Sequence, residues 1–426
     1  MKQLLRQLFA QTLLDLDVGA LMAPAVDDLR PFAAHGGKLL VLAYGKVARA
    51  MARALVLGLP AARMRGLVVP PEPDTAPLPP FELIAGGHPL PSDGSLAAGR
   101  RALELAHSVA ADETVVFLAS GGGSAMLEWP IEESMTLAEL QDLHRTLVGS
   151  GADIVAINTV RKHVSAVKGG RLALAARAAK SQHTIVISDV PDRIGAAVAS
   201  GPSMVDPSVP DDCRAVLDRF GLWSQLPARL RERLERGDVP PRLTCDTVGM
   251  PRLVSTTIAS NLLARGNLIG DLAAAGAFAV DDITVDDEPC ARAAWHLLRR
   301  LDRLQRRHPG RTVAVVSGGE LSVPLPKTPG TGGRNQQFAL HCARLIRGRP
   351  IAVLSAGTDG IDGNSPATGA IADGTTMRRA KVLGFDVHEH LRAFDAFPLL
   401  QALGDTIVTG PTGTNVRDVR VCVSQG

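Results

Sequence analysis

Residues 114–119 (TVVFLA) run directly into Ser120-Gly121-Gly122-Gly123-Ser124. Six apolar or β-branched residues in a row read as a buried strand. A strand that stops on glycines with hydroxyls beside them brings bare backbone N–H groups up to an anion. The arrangement recurs downstream, where residues 312–316 (TVAVV) run into Ser317-Gly318-Gly319-Glu320. Two such turns point to two α/β halves that face one phosphorylated ligand.

The surrounding chain alternates in the same way. Strands are expected at 39–43, 66–69, 114–119 and 184–188, with helices at 47–57 and 95–109 between them. A long helical stretch covers 156–178 and breaks at Gly169-Gly170. Residues 237–252 (GDVPPRLTCDTVGMPR) have no periodicity and read as a linker. A second series follows: strands at 253–258, 278–284, 312–316, 351–355, 406–408 and 419–423, with helices at 262–275, 290–307, after Gly333, and near 377–383. The fold expected is α/β, with two α/β/α domains over 1–240 and 250–426 and largely parallel sheets covered on both faces. An active-site cleft between the domains follows, because ligands of such folds sit beyond the C-terminal strand ends.

Composition narrows the function. The chain has 46 basic and 43 acidic residues, a net charge of +3, and only 3% aromatics. Such a balance does not suit a nucleic-acid binder. No apolar run reaches the roughly 20 residues needed to cross a bilayer, and residues 1–17 read as an amphipathic surface helix. The five cysteines lack metal or redox spacing and read as reduced core residues of a cytoplasmic protein.

The chemistry-bearing residues cluster at strand ends. Lys46 follows Ala43-Tyr44-Gly45 at a helix start, where its charge and free N–H groups favour a phosphate or carboxylate. The segment matches neither a P-loop nor a dinucleotide fingerprint. Ser120, Gly121, Gly122, Gly123 and Ser124 form a candidate anion nest. Asn158, Arg161 and Lys162 share a helical face, which is either solvated or clamps an anion. Asp189 ends a strand, as a turn cap or placed for a metal or a substrate hydroxyl. Arg334, on the Gly332-Gly333 turn, can approach a phosphoryl group bidentately. Asp359 and Asp362 offer carboxylates, while Thr409, Gly410, Thr412, Gly413, Thr414 and Asn415 offer hydroxyls and N–H groups.

In order, YGKVARAM, GGHPLPSDGS, SGGGSAML, NTVRKHVSAVKGGRLA, ISDV, ASGP, ASN, SGGE, GGRNQQFAL, TDGIDG and TGPTGTN resemble the glycerate 2-kinases of the MOFRL type, some of whose relatives are called hydroxypyruvate reductases. The resemblance spans residues 44–415. It implies a Rossmann-like N-terminal domain, a smaller C-terminal domain, and transfer of the ATP γ-phosphoryl group to the 2-hydroxyl of D-glycerate with Mg²⁺. It implies Lys46 and Arg334 as catalytic residues, with Arg334 on the transferring phosphoryl or the glycerate carboxylate and Lys46 opposite, and Asp189 as a metal or proton-accepting group. Asp359 and Asp362 would be further metal ligands. The Ser120–Ser124 and Thr409–Asn415 turns would hold phosphates, with Asn158, Arg161, Lys162, Asn261, Glu320 and Asn335 as further substrate or nucleotide contacts. The partners expected are small molecules only, for a monomer or homodimer. Departures fall after Ser188-Asp189-Val190, where relatives tend to carry Gly-Asp-Asp and this chain reads Pro191-Asp192-Arg193-Ile194, at Gln337, and at Asn364-Ser365-Pro366. The competing readings are an NAD(P)H-dependent hydroxypyruvate reductase and a non-catalytic metabolite-binding relative.

Overall fold

The computed structural model describes residues 1–71, 76–191 and 198–426, so Asp192, Arg193 and Ile194 lie outside the described residues. The chain divides into two compact units. One is Val18–Ile258, and the other joins Met1–Asp17 to Ala259–Gly426.

The sheet of the first unit comprises β1 (Lys38–Tyr44), β2 (Arg63–Val69), β3 (Glu82–Leu83), β4 (Glu113–Ala119), β5 (Ser181–Ile187) and β6 (Arg252–Ala259). Its order is β3-β2-β1-β4-β5-β6, and the pairs from β3 through β5 are parallel. Every residue of β4 and of β5 is buried. Burial on both faces is why these strands read as unbroken apolar runs rather than alternating ones. Tyr44 pairs with Ala119, so the turns after β1 and β4 leave the sheet side by side.

Two sequence expectations change in this unit. The helical stretch ends sooner: one helix covers Ile154–Val164, a second covers Arg171–Ala175, and Lys168-Gly169-Gly170 is a turn between them. Ser165 leaves the helix because it bridges to Pro130. Gly170, at φ +74°, then starts the second helix in a conformation that suits glycine. Residues 237–252 are not a linker either. Leu243 is 1% exposed in the core, its N–H donates to Gly169 O, and its carbonyl accepts from Asp206 N.

The second unit carries β7 (Phe278–Asp282), β8 (Val313–Gly319), β9 (Ile351–Gly357), β10 (Gly369–Asp373), β11 (Thr406–Ile407) and β12 (Asp418–Ser424), in the order β11-β10-β9-β12-β8-β7. This sheet is mixed, which corrects the expectation of a largely parallel one. β7 and β8 are parallel, but β12 runs antiparallel to both β8 and β9. The register places Asp418, the first residue of β12, opposite Gly319 and Gly357, the last residues of β8 and β9. A fully buried strand has the same apolar pattern in either direction, so its sense cannot be read from composition.

The helix Lys2–Asp15 is amphipathic, as expected, and buries Leu5, Leu8, Phe9 and Thr12. It belongs to the second unit and not to a 1–240 domain. Lys2 pairs with Asp405 at 2.8 Å, and Arg6 donates to the carbonyls of Thr406 and Gly404. By length and composition Lys2–Ala33 could cross a membrane. Here it folds as two helices, Lys2–Asp15 and Val18–Ala33, assigned to different units. Four of the five cysteines are buried and Cys245 is exposed. Burial pushes the Cys290 and Cys422 thiols up to about 12, which leaves them inert.

Candidate functional site

In the first unit the site is built where β1 and β4 end. Ser120 ties the two turns together: its Oγ accepts from Val47 N at 3.0 Å, and its N–H donates to Tyr44 O. Ser120 is fully buried and therefore structural rather than a ligand contact. Gly45 sits at φ +110°, and a Cβ there would lie 2.4 Å from Ser120 O. Lys46 is exposed, and its ammonium makes no hydrogen bond or ion pair among the described residues. Its stem and His88 both lie against Gly122, where a Cβ would meet His88 Cδ2 at 2.9 Å and Lys46 Cγ at 3.3 Å. Desolvation of the ring and the neighbouring Lys46 charge hold His88 at about 4. Lys46 is thus an exposed cation on a glycine turn with a neutral imidazole beside it.

Asp189 lies directly over the same turn. A Cβ on Gly121 would sit 1.7 Å from Asp189 Oδ2, so a side chain there would displace this carboxylate. Gly123 packs against Ala199. Ala199, Ser200 and Gly201 all have positive φ, and two of them are not glycine. A left-handed run of this kind stores strain that the surrounding packing must hold. It delivers Ser200 Oγ to within 2.8 Å of Ser124 Oγ and 3.0 Å of Asn158 Oδ1.

The expected Asn158, Arg161 and Lys162 face divides into different roles. Lys162 pairs with buried Asp206 at 3.0 Å and is committed to the fold. Arg161 makes no hydrogen bond or ion pair among the described residues, and its Nε is buried without a partner. Beneath it lies a buried cluster missed by sequence reasoning. Glu128 accepts from Lys168 Nζ, Ser165 Oγ and Trp129 N, with His144 Nε2 at 3.8 Å.

In the second unit Arg334 opens the helix Arg334–Leu345. It donates bidentately to Asp418, Nε to Oδ2 at 2.6 Å and Nη2 to Oδ1 at 3.0 Å, and lies 3.3 Å from Glu320. Burial works against its charge, but Asp418 and Glu320 more than offset this and raise its pKa. Asp418 is 1% exposed, and fully buried Arg420 stands 4.0 Å away. Arg417 pairs with Asp286 at 2.6 Å. Sequence reasoning missed Asp418, Arg417 and Arg420. The register of an antiparallel β12 is what places them, and no local motif announces it.

Several expected contacts hold the scaffold instead. Asn261 Nδ2 donates to the carbonyls of Val416 and Asp418, and its Oδ1 accepts from Arg265. Asn335 Oδ1 accepts from Ser355. Asp362 was expected as a metal ligand. Its Oδ1 accepts from the N–H and side chain of Asn335, and its Oδ2 from the N–H and side chain of Gln336. It caps the helix Arg334–Leu345, with no lone pair left for a cation. Burial and the Asp418 charge push it up to about 6. Among the described residues Asp359 Oδ1 accepts from Ile361 N alone, at 3.2 Å. Around it, Thr412 donates to Thr358 O, and Gly360 lies so close to Gly410 that a Cβ would come within 2.0 Å of its carbonyl. The Thr409–Asn415 loop therefore rests on the turn after β9, with Gly410 and Gly413 at positive φ and open space on the side where a Cβ would stand. Among the described residues no group of three or more His, Cys, Asp or Glu is arranged to hold a metal.

Two family models match the chain: a domain of unknown function, DUF4147, over residues 4–235, and the MOFRL family over residues 313–418. The chain is 35% identical over 391 residues to a D-glycerate 2-kinase of Thermotoga maritima, covering 90% of this chain and 89% of that protein. It is 36% identical over 396 residues to a protein of Agrobacterium vitis named, provisionally, as a hydroxypyruvate reductase, covering 90% and 86%. A crystal structure of glycerate kinase from Thermotoga maritima superposes with a TM-score of 0.86 at 32% identity, covering 99% of both chains.

Proposed function

The chain belongs to the MOFRL-containing family of glycerate 2-kinases, and from that premise we propose that it transfers the γ-phosphoryl group of ATP to the 2-hydroxyl of D-glycerate. The observation that carries this reading is Lys46: an exposed cation with no partner among the described residues, on a glycine turn at the C-terminal edge of a parallel sheet. Phosphoryl transfer asks for positioning and charge neutralisation more than for covalent chemistry. Lys46 and Arg334 neutralise the phosphoryl group in transit. The Gly121–Gly123 backbone and the Thr409–Asn415 loop hold the ATP phosphates. Asp189 accepts the proton of the 2-hydroxyl or orients the metal.

Mg²⁺, when bound, neutralises charge on the β- and γ-phosphates. It needs only one or two protein carboxylates beside phosphates and water. Asp359 keeps acceptor capacity for that demand among the described residues, whereas Asp362 does not. The enzyme works in the cytoplasm as a monomer or homodimer. A coupled assay of ADP release with D-glycerate and Mg-ATP tests the reading, run beside hydroxypyruvate with NADH. NADH oxidation without ADP production would sink it.

Asp418 acts by aiming Arg334. Asp418→Asn keeps the side-chain shape but removes one charge-assisted bond of the bidentate pair. We expect kcat to fall by about 10-fold to 100-fold with KM for ATP within about 3-fold, on the scale of a displaced stabilising donor. A purely structural role would instead lower the melting temperature and leave kcat of the folded fraction intact.

A further inference from the structure

We infer that Arg161 and Asn158 form the subsite that takes the carboxylate of the acceptor acid; this rests on the kinase reading above. The two residues stand one turn apart on the helix Ile154–Val164 and project from the same face. Their hydrogen-bonding polarity is fixed. Ser200 Oγ donates to Asn158 Oδ1, so Ser124 Oγ must supply its own proton to Ser200. That chain turns the Asn158 amide so that its Nδ2 donors point away, and Nδ2 makes no hydrogen bond among the described residues. Arg161 adds the terminal donors of its guanidinium, also without a partner there. The Asn158 amide nitrogen and the Arg161 guanidinium thus offer donors alone, which suits a group that accepts at every oxygen.

Charge decides which anion. Around Arg161 the buried groups are Glu128, Lys168 and His144, each about 1% exposed or less. Burial and the nearby cations keep His144 neutral. Glu128 balances Lys168, with which it is in direct contact. Its oxygens are taken up there and at Ser165 and Trp129, so it reaches Arg161 only as a more distant charge. Among the described residues one positive charge is left over in a largely desolvated place, where an unmatched charge is costly. A single carboxylate cancels it. A triphosphate carries several negative charges and would overload it, whereas exposed Lys46 on the Gly121–Gly123 turn suits phosphate. A carboxylate also matches the planar fork of Arg161, as a neutral polyol does not.

The test uses Arg161→Gln and Arg161→Lys, with D-glycerate and methyl D-glycerate as acceptors under Mg-ATP. In Arg161→Gln, KM for D-glycerate should rise at least about 100-fold while KM for ATP moves less than about 3-fold, the scale of truncating one side of a buried charge pair. The wild type should prefer acid over ester by a similar factor, and Arg161→Gln should treat them nearly alike. A raised KM for ATP with an unchanged KM for glycerate would place Arg161 on the nucleotide and overturn the proposal. An acid-to-ester ratio equal to that of the wild type would overturn it as well. If Arg161→Gln does not fold, Asn158→Ala and Arg161→Lys carry the same comparison. If the wild type phosphorylates no hydroxy acid, the kinase reading fails by itself. Calorimetric titration with tartronate then decides the subsite: binding lost in Arg161→Gln upholds it, and equal binding, or none to either protein, overturns it.

Discussion

Alanine at Lys46 or at Arg334 lowers kcat at least about 100-fold, the scale of removing one preorganised charge-stabilising donor. The two variants should differ in stability, and that difference tests the geometry. The Lys46 ammonium has no partner among the described residues, so Lys46→Ala leaves nothing stranded and should melt like the wild type. Arg334→Ala removes the bidentate partner of Asp418, a carboxylate 1% exposed, and leaves it with Arg420 at 4.0 Å. A buried charge stripped of its main partner costs about 3 kcal/mol or more, visible as a lower urea midpoint. Near-normal turnover in either variant means that its charge is not aimed at the reacting phosphoryl group. Lys46→Arg separates charge from shape, since a planar guanidinium replaces a compact ammonium on a turn crowded by His88 and Met126.

The parts of the site legible in the sequence are those whose signal is local. A strand running into Gly121-Gly122-Gly123 states both its own end and the close backbone approach that follows, and Lys46 and Asp189 sit within a residue or two of such ends. What stayed hidden depends on pairing between distant residues. Lys162 and Arg161 are neighbours with the same charge, yet Asp206 takes one and nothing printed in sequence tells which. Asp362 reads as a loop carboxylate suited to a metal, but the chain folds it onto the N-terminus of the helix Arg334–Leu345, where four donors consume it. Asp418 reads as a polar residue before a final strand. Its place opposite Gly319 and Gly357 comes from the antiparallel register of β12. The helix Lys2–Asp15 shows its amphipathic period plainly, but a period cannot say which unit covers the apolar side.

Replacing Glu128 by alanine destabilises the first unit by about 3–5 kcal/mol, because it leaves the Lys168 ammonium, 0% exposed, without its counter-charge. Burial by itself would raise the Glu128 pKa. The Lys168 ammonium and His144 overcome this and hold it at about 2, below its ordinary 4.5. The folded state therefore binds the proton more weakly than the unfolded chain. The stabilisation is complete above about pH 4.5 and drains away as pH falls toward 2. Urea midpoints measured from pH 7 down to pH 3 should fall for the wild type along this window, and Glu128→Ala should lack that component. The paired variant Glu128→Leu with Lys168→Met removes both charges and should recover most of the loss, since a buried ion pair replaced by apolar groups of similar size is often neutral or better. It also separates fold from function. Deleting one negative and one positive charge leaves the surplus charge at Arg161 unchanged, so the folded double variant should keep its KM for D-glycerate. Glu128→Ala alone adds a second uncompensated cation beside the acceptor and should tighten anion binding in the molecules that remain folded. A double variant that folds well but loses affinity for the acid would show that Glu128 positions Arg161 directly and is more than a counter-charge for Lys168.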